Sequence, residues 1–351
     1  KGGDLIFTVF NGENTDLYAF TPDLDAQPRL FATLPGAVSQ IYVHPDYQGI
    51  DYLAGLQTSR DGIAYIKNLS LYTVSFTDSA PRLLYSFPPT PEKFVGPTVE
   101  GDWSYDGHYA IFQYVSPIPG NGFSKYLWID MSCRTKGNCP THEISFEQNL
   151  ELSRGNFAPA DYRILFTGSD LSGTGEMDLF IMNFDPLNST QDVVNITANS
   201  SGSVDDVAAP AVWQPDGKIF TLCNDGRSTT RFCFVDPLTG QITGGAIFTQ
   251  HIAHYQVSAS GQSILGIVIN HNAPGKGVLE LHRFDMNAQA GPTLATGGLM
   301  PLARISPFDR FIAYTTDNSD QVQLIDTLST ATVTLYSSNI PNVVTWLAWV
   351  H

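Results

Sequence analysis

Ala211-Val-Trp-Gln-Pro-Asp-Gly-Lys-Ile-Phe-Thr-Leu222 decides the fold. It reads as a strand ending at Trp213, a turn over Pro215, Asp216 and Gly217, and a second strand beginning at Ile219. The turn has a mechanism: Pro presets φ, Asp bonds the local backbone, and Gly accepts positive φ. A close relative is Gly101-Asp-Trp-Ser-Tyr-Asp-Gly-His-Tyr-Ala-Ile-Phe112, with further copies at 155–166, 255–266 and 303–314 and a looser one at 41–52. The turn position recurs at Pro45, Tyr105, Pro159, Pro215, Ala259 and Pro307, at intervals of 60, 54, 56, 44 and 48 residues. That is the period of a propeller blade.

A seventh copy is split across the chain ends. Trp346-Leu-Ala-Trp-Val-His351 reads as a first strand with no second, and Lys1-Gly-Gly-Asp-Leu-Ile-Phe-Thr-Val-Phe10 as a turn and second strand with no first. Joined, they put a turn 44 residues after Pro307 and 45 before Pro45. Third strands are legible at 16–20, 71–76, 126–130, 178–182, 231–235, 279–284 and 322–325, and an outer strand at 331–336. No stretch has helical periodicity, and no composition break marks a second domain. The expectation is an all-β, seven-bladed β-propeller of four-stranded antiparallel blades, one domain over 1–351, closed by the C-terminal strand pairing with the N-terminal strands.

Composition suits this fold. The hydrophobic share of 42% allows a large core, and 30 Gly with 22 Pro supply many turns. Acidic residues outnumber basic ones 34 to 18, a net charge of −16 with no Lys/Arg run, which argues against a nucleic-acid partner and against anionic membranes. No apolar run is long enough to span a bilayer. The chain starts at Lys1 without Met, and the expectation is that an upstream segment has been removed.

The four cysteines form two local pairs. Cys133 and Cys139 bracket a polar turn, and Cys223 and Cys233 bracket a hairpin around Asn224 to Arg227. Hairpin ends lie within disulfide range, so both pairings are expected, and with them a secreted, extracellular or periplasmic location. The alternative is four buried free thiols; the spacing does not suit zinc.

The Trp-x-Pro-Asp-Gly-Lys turn, followed by an apolar strand and then Asp-Leu-Tyr or Asp-Leu-Phe, resembles the TolB-type propeller repeat, most specifically around Trp103, Phe157, Trp213 and Pro307. The resemblance implies the propeller fold and strand closure between the termini. It implies little about function, since related propellers serve as binding scaffolds, peptidase gates and lyases.

Catalytic motifs are missing. There is no Gly-x-Ser-x-Gly elbow, and His142-Glu143-Ile144-Ser145-Phe146 lacks the second His of a zincin and lies in a strand. Glycine pairs at 120–122 and 173–175 lack a following helix, and 275–277 is no phosphate loop. No cofactor is expected. The expected binding surface is the face carrying the second-to-third strand loops and the entries to the inner strands. There Arg154 and Arg304 would anchor a protein or glycan, Asp170, Asp225, His254 and His271 would add hydrogen bonds, and Arg227 would extend the rim. The resulting function is a non-catalytic binding or surface-assembly module. The alternative is a metal-assisted polysaccharide lyase of the TolB-related type, in which His251, His254 and His271 would approach one another. Assembly through outer strand edges is a competing route to a partner. N-glycosylation sequons stand at Asn68, Asn188, Asn195 and Asn199.

Overall fold

The computed structural model describes residues 3–60, 63–77, 80–90, 99–115, 124–146, 150–170, 177–188, 190–198, 211–224, 230–248, 251–270, 278–286, 289–297, 302–316, 318–341 and 343–350. The repeat turn behaves as its residues require. Gly107, Gly217 and Gly261 each donate their N–H to the carbonyl three residues back, at 2.8, 2.9 and 2.9 Å. Asp106 and Asp216 accept the N–H two residues on, from His108 and Lys218, both at 3.0 Å. The third turn residue is left-handed, with φ of 69° at Gly107 and 82° at Gly217. Two copies lacking Gly there still adopt it, at Tyr47 (57°) and Asp309 (62°).

These turns join strands into seven antiparallel sheets, numbered here as blades from inner to outer strand. Blade 1 is Val344–Val350, Asp4–Phe10, Asn14–Phe20 and Arg29–Pro35. Blade 2 is Ala37–Val43, Gly49–Arg60, Ile63–Ser75 and Arg82–Ser86. Blade 3 is Val99–Trp103, Tyr109–Val115, Ser124–Asp130 and Thr141–Phe146, with the short parallel strand Thr190–Gln191 added outside. In blade 4 the inner strand breaks into Leu150–Leu152 and Asn156–Phe157, followed by Arg163–Asp170, Asp178–Asn183 and Val193–Asn195. Blade 5 is Val212–Trp213, Ile219–Asn224, Thr230–Val235 and Ile242–Phe248. Blade 6 is His251–Val257, Ser263–Asn270, Val278–Asp285 and Ala290–Gly297. Blade 7 is Ala303–Ile305, Phe311–Thr315, Gln321–Asp326 and Thr332–Ser337. The fold is therefore an all-β, seven-bladed β-propeller. Its closure is the expected one: Leu5 pairs with Trp349 and Phe7 with Leu347, so the last strand is the innermost of the first blade.

The chain packs as two units. One comprises Lys1–Val38, Thr229–Phe232 and Gly245–His351, the other Ser39–Ser228 and Cys233–Gly244. The first holds blades 1, 6 and 7, with a core including Leu5, Phe7, Phe311, Val344 and Leu347. The second includes blades 3 and 4 and has two large cores, one around Leu53, Trp103 and Phe112 and one around Ile164, Phe166 and Phe180. Inside each unit the same repeat positions fasten neighbouring blades. Phe157 N–H donates to Asp102 at 2.6 Å, and Ile305 N–H to Gln256 at 3.0 Å. Trp213 Nε1 donates to the Asn156 carbonyl at 3.0 Å, and Trp349 Nε1 to that of Arg304 at 3.1 Å. At Trp213 and Trp349 the half-buried repeat tryptophan pairs its one polar atom with the neighbouring blade, whereas the buried Trp103 Nε1 has no partner among the described residues.

Several outer edges are interrupted. A bulge between Leu17 and Tyr18 disturbs the pairing of blade 1's last strand, a second lies between Val322 and Gln323 in blade 7, and Pro292 stands in the outer strand of blade 6. Bulges and prolines make poor templates for an added strand.

Candidate functional site

The most constrained polar cluster joins blades 2 and 3. Asp51 lies in the second strand of blade 2 and is fully buried (0% exposed) among apolar neighbours. An unpaired carboxylate there would be very costly. His44 Nε2 meets its Oδ1 at 2.8 Å, and Arg134 donates Nε and Nη2 to Oδ2 at 2.9 and 2.5 Å. Burial alone would raise the Asp51 pKa, but the His44 and Arg134 hydrogen bonds and the guanidinium charge outweigh it and hold the group below its ordinary value.

Arg134 is aimed by its loop. Cys133 and Cys139 are bonded, Cα to Cα 5.4 Å, and the segment Met131–Thr135 is a 3₁₀ turn rather than the simple hairpin turn expected. The loop reaches blade 2. Cys139 N–H donates to the Leu84 carbonyl at 2.7 Å and Asn138 N–H to that of Leu83 at 3.3 Å. Arg82 Nη1 binds the carbonyls of Arg134 and Thr135 at 2.8 and 2.9 Å. Gly137 is left-handed (φ 73°), and a Cβ there would sit 3.1 Å from the Leu83 carbonyl oxygen. The staple therefore clamps one blade to the next. Cys223 and Cys233 are also bonded, Cα to Cα 5.8 Å, across the second and third strands of blade 5.

Above Asp51 a cavity of about 440 Å³ opens, lined by His44, Asp46, Arg82, His108, Arg134 and Thr135 among others. That lies within the usual range of small-ligand sites, roughly 300–1,000 Å³. Its turns fix its walls. Asp106 accepts from Ser104 and from Tyr162 at 2.7 and 2.6 Å and meets His108 Nδ1 at 3.1 Å. Burial would raise the Asp106 pKa, but those hydroxyl and backbone donors lower it overall. Asp46 uses Oδ1 to accept Gln48 N–H at 2.9 Å, and no described residue bonds its Oδ2.

Of the residues expected to form the rim, Arg154 and Asp170 lie in one unit and His254 and Arg304 in the other. Arg154 sits beside Asp102 at the junction of blades 3 and 4 and is half-buried; its Nη2 reaches Asn156 at 3.3 Å, and its buried Nε has no described partner. Burial pushes Asp102 up to about 6, against the pull of Arg154. His254 and Arg304 are neighbours in the other unit, both half-buried; burial, then the Arg304 charge, push the imidazole down to about 4. At neutral pH it is therefore uncharged. Asp170 ends the second strand of blade 4 and is half-buried. Asp225, Arg227, His271 and the His251 side chain lie outside the described residues. No three His, Cys, Asp or Glu side chains among the described residues are grouped to hold a metal ion, and no helix among them is long and apolar enough to cross a membrane. His142 stacks on Trp128 with centroids 4.1 Å apart, a packing role. Asn68 and Asn188 are exposed, whereas Asn195 donates to Asp178 at 2.9 Å and its sequon partner Thr197 to the same carboxylate at 2.7 Å. Asn199 is outside the described residues.

The cavity escaped the sequence reading because it lies among the first-to-second and third-to-outer turns, the opposite end of the blades from the loops singled out. Two signals were present. Asp51 is a charge inside an apolar strand, and Arg134 is the first residue after a paired cysteine.

No protein-family description matches the chain, and no curated protein does. Solved structures do. TolB from Acinetobacter baumannii aligns with a TM-score of 0.50 at 14% identity over 99% of this chain and 66% of its own, so the chain spans just under two thirds of that protein. An oligogalacturonate lyase in complex with manganese aligns at 0.64 and 16% identity, over 96% of this chain and 87% of the lyase. A prolyl endopeptidase structure aligns at 0.60 and 10% identity, over 97% of this chain and 49% of the peptidase. At such identities the likeness is one of fold alone, that of a β-propeller.

Proposed function

We propose that the chain is a single propeller domain acting as a non-catalytic binding module, secreted or periplasmic, that presents a polar surface to a protein or glycan. The observation that carries this reading is the cavity between blades 2 and 3, whose lining residues His44 and Arg134 are already paired to the buried Asp51. Asp51, His44 and Arg134 satisfy one another, so the lining there is a rigid recognition surface rather than a reactive group waiting for a proton. Two buried disulfides suit an oxidising compartment. The experiment is binding to glycan and peptide arrays by the wild type and by Ser75→Trp, which fills the cavity, with the retained ligand recovered and weighed by mass spectrometry. Binding lost in Ser75→Trp and ligand recovered intact support the reading. Cleaved ligand, or unsaturated uronate products, would favour the lyase alternative instead.

A second surface has one observation in its favour, the buried and unpartnered Nε of Arg154. In this reading a partner carboxylate pairs with that guanidinium. Arg154→Glu abolishes such docking and leaves the cavity's ligand bound.

A further inference from the structure

We infer that the cavity between blades 2 and 3 takes a neutral saccharide residue, an assignment that rests on the binding reading above and names its ligand class. Three features point there.

The first is the balance of free hydrogen-bonding groups. Among the described residues nothing bonds Asp46 Oδ2, which offers an acceptor; Arg82 offers donors beyond the nitrogen that holds the Arg134 and Thr135 carbonyls; and exposed His108 keeps its second ring nitrogen while Nδ1 meets Asp106. The Thr135 hydroxyl adds a group of either kind. A sugar hydroxyl both donates and accepts, so it is matched by neighbouring donors and acceptors, whereas an anion needs donors alone. The second is charge. Arg134 is spent on the buried Asp51, and Asp46 and Asp106 line the same cavity as Arg82, so no net positive charge favours a carboxylate or phosphate.

The third is Tyr47. It stands between the cavity-lining Asp46 and Gln48, where the repeat turn calls for glycine, and it holds a left-handed φ of 57° while 47% exposed. A bulky residue in that conformation carries strain, and strain of this kind concentrates at ligand sites. The exposed Tyr47 phenol ring, carried between two residues that line the cavity, offers a stacking surface for the apolar face of a pyranose.

Saturation-transfer NMR and calorimetry on the full chain test this, with the methyl glycosides of glucose, galactose, mannose and N-acetylglucosamine as probes beside galacturonate and inorganic phosphate. Saturable binding of at least one neutral glycoside is expected. Tyr47→Gly should weaken it at least tenfold while the thermal midpoint holds or rises, because glycine relieves the left-handed strain. Asp46→Asn, whose amide oxygen keeps the turn, should weaken it at least threefold. Equal binding in both variants, a preference for galacturonate or phosphate, or no binding of any neutral glycoside overturns the assignment. If neutral glycosides fail but an array ligand binds and Ser75→Trp abolishes it, the binding reading survives and the saccharide assignment falls.

Discussion

Arg134, carried between two bonded cysteines of blade 3, lies with Nε 2.9 Å and Nη2 2.5 Å from the same oxygen of Asp51, buried in blade 2. Removing one partner of a buried pair leaves an uncompensated charge and typically costs 3–5 kcal/mol. Arg134→Met should lower stability by about 3 kcal/mol in urea titrations at pH 7. Asp51→Asn with Arg134→Met should cost less than the two singles combined. The pH dependence has a definite sign. The folded pKa of Asp51 lies below its unfolded value, so the pair's contribution is present above about pH 4 and fades as pH falls through the depressed pKa. A gap between wild type and Arg134→Met that widens on acidification would count against this assignment.

The Cys133–Cys139 bond should matter through Arg134. Replacing both cysteines with serine should cost about 2 kcal/mol, and the loss should be non-additive with Arg134→Met by about 1 kcal/mol. Replacing Cys223 and Cys233 should be additive with Arg134→Met, because that bond lies in blade 5. Peptide mapping without reduction should recover both pairs.

Asp102 and His254 should push stability in opposite directions with pH. Asp102 has its pKa raised to about 6 by burial, so stability falls as pH rises from about 4 to 6. Asp102→Asn keeps an oxygen for the Phe157 N–H and should stabilise the protein by about 2 kcal/mol at pH 7.5, with no gain at pH 3.5. His254 has its pKa lowered to about 4, so the unfolded chain takes the proton first and stability is lost as pH falls from about 6.5 to 4. His254→Gln should remove on the order of 2 kcal/mol of that acid loss. Chemical denaturation across pH 3.5–7.5 checks both.

Closure predicts a large effect at the chain's end. Leu347 is fully buried against Phe7 and its neighbours, so Leu347→Ala should cost about 3 kcal/mol. Val350, half-exposed on the same strand, should tolerate Thr with a change of about 0.5 kcal/mol or less.

Blade number and closure were legible because both rest on local chemistry repeated many times. Pro-Asp-Gly at 215–217 dictates its turn without help from the rest of the chain, and the strand endings at 346–351 and 1–10 complete one another. The site was not legible because it depends on which turns meet across a blade junction. Arg134 and Asp51 are 83 residues apart, and nothing local to either names the other. Charge pointed to Arg154 and Arg304 as anchors, while their neighbours Asp102 and His254 come from inner-strand packing that no local stretch of sequence states. Tyr47 showed only as a weak copy of the turn, and its conformation turns that weakness into a signal.

The central claim is that the cavity over Asp51 and Arg134 binds a ligand without transforming it. The most direct measurement is titration calorimetry of an array-identified ligand against wild type and Ser75→Trp, with mass analysis of the ligand recovered afterwards. The account predicts at least a tenfold loss of affinity in Ser75→Trp, an unchanged unfolding midpoint, and ligand of unaltered mass. Equal affinity in the two proteins, or a ligand recovered in pieces, would contradict it.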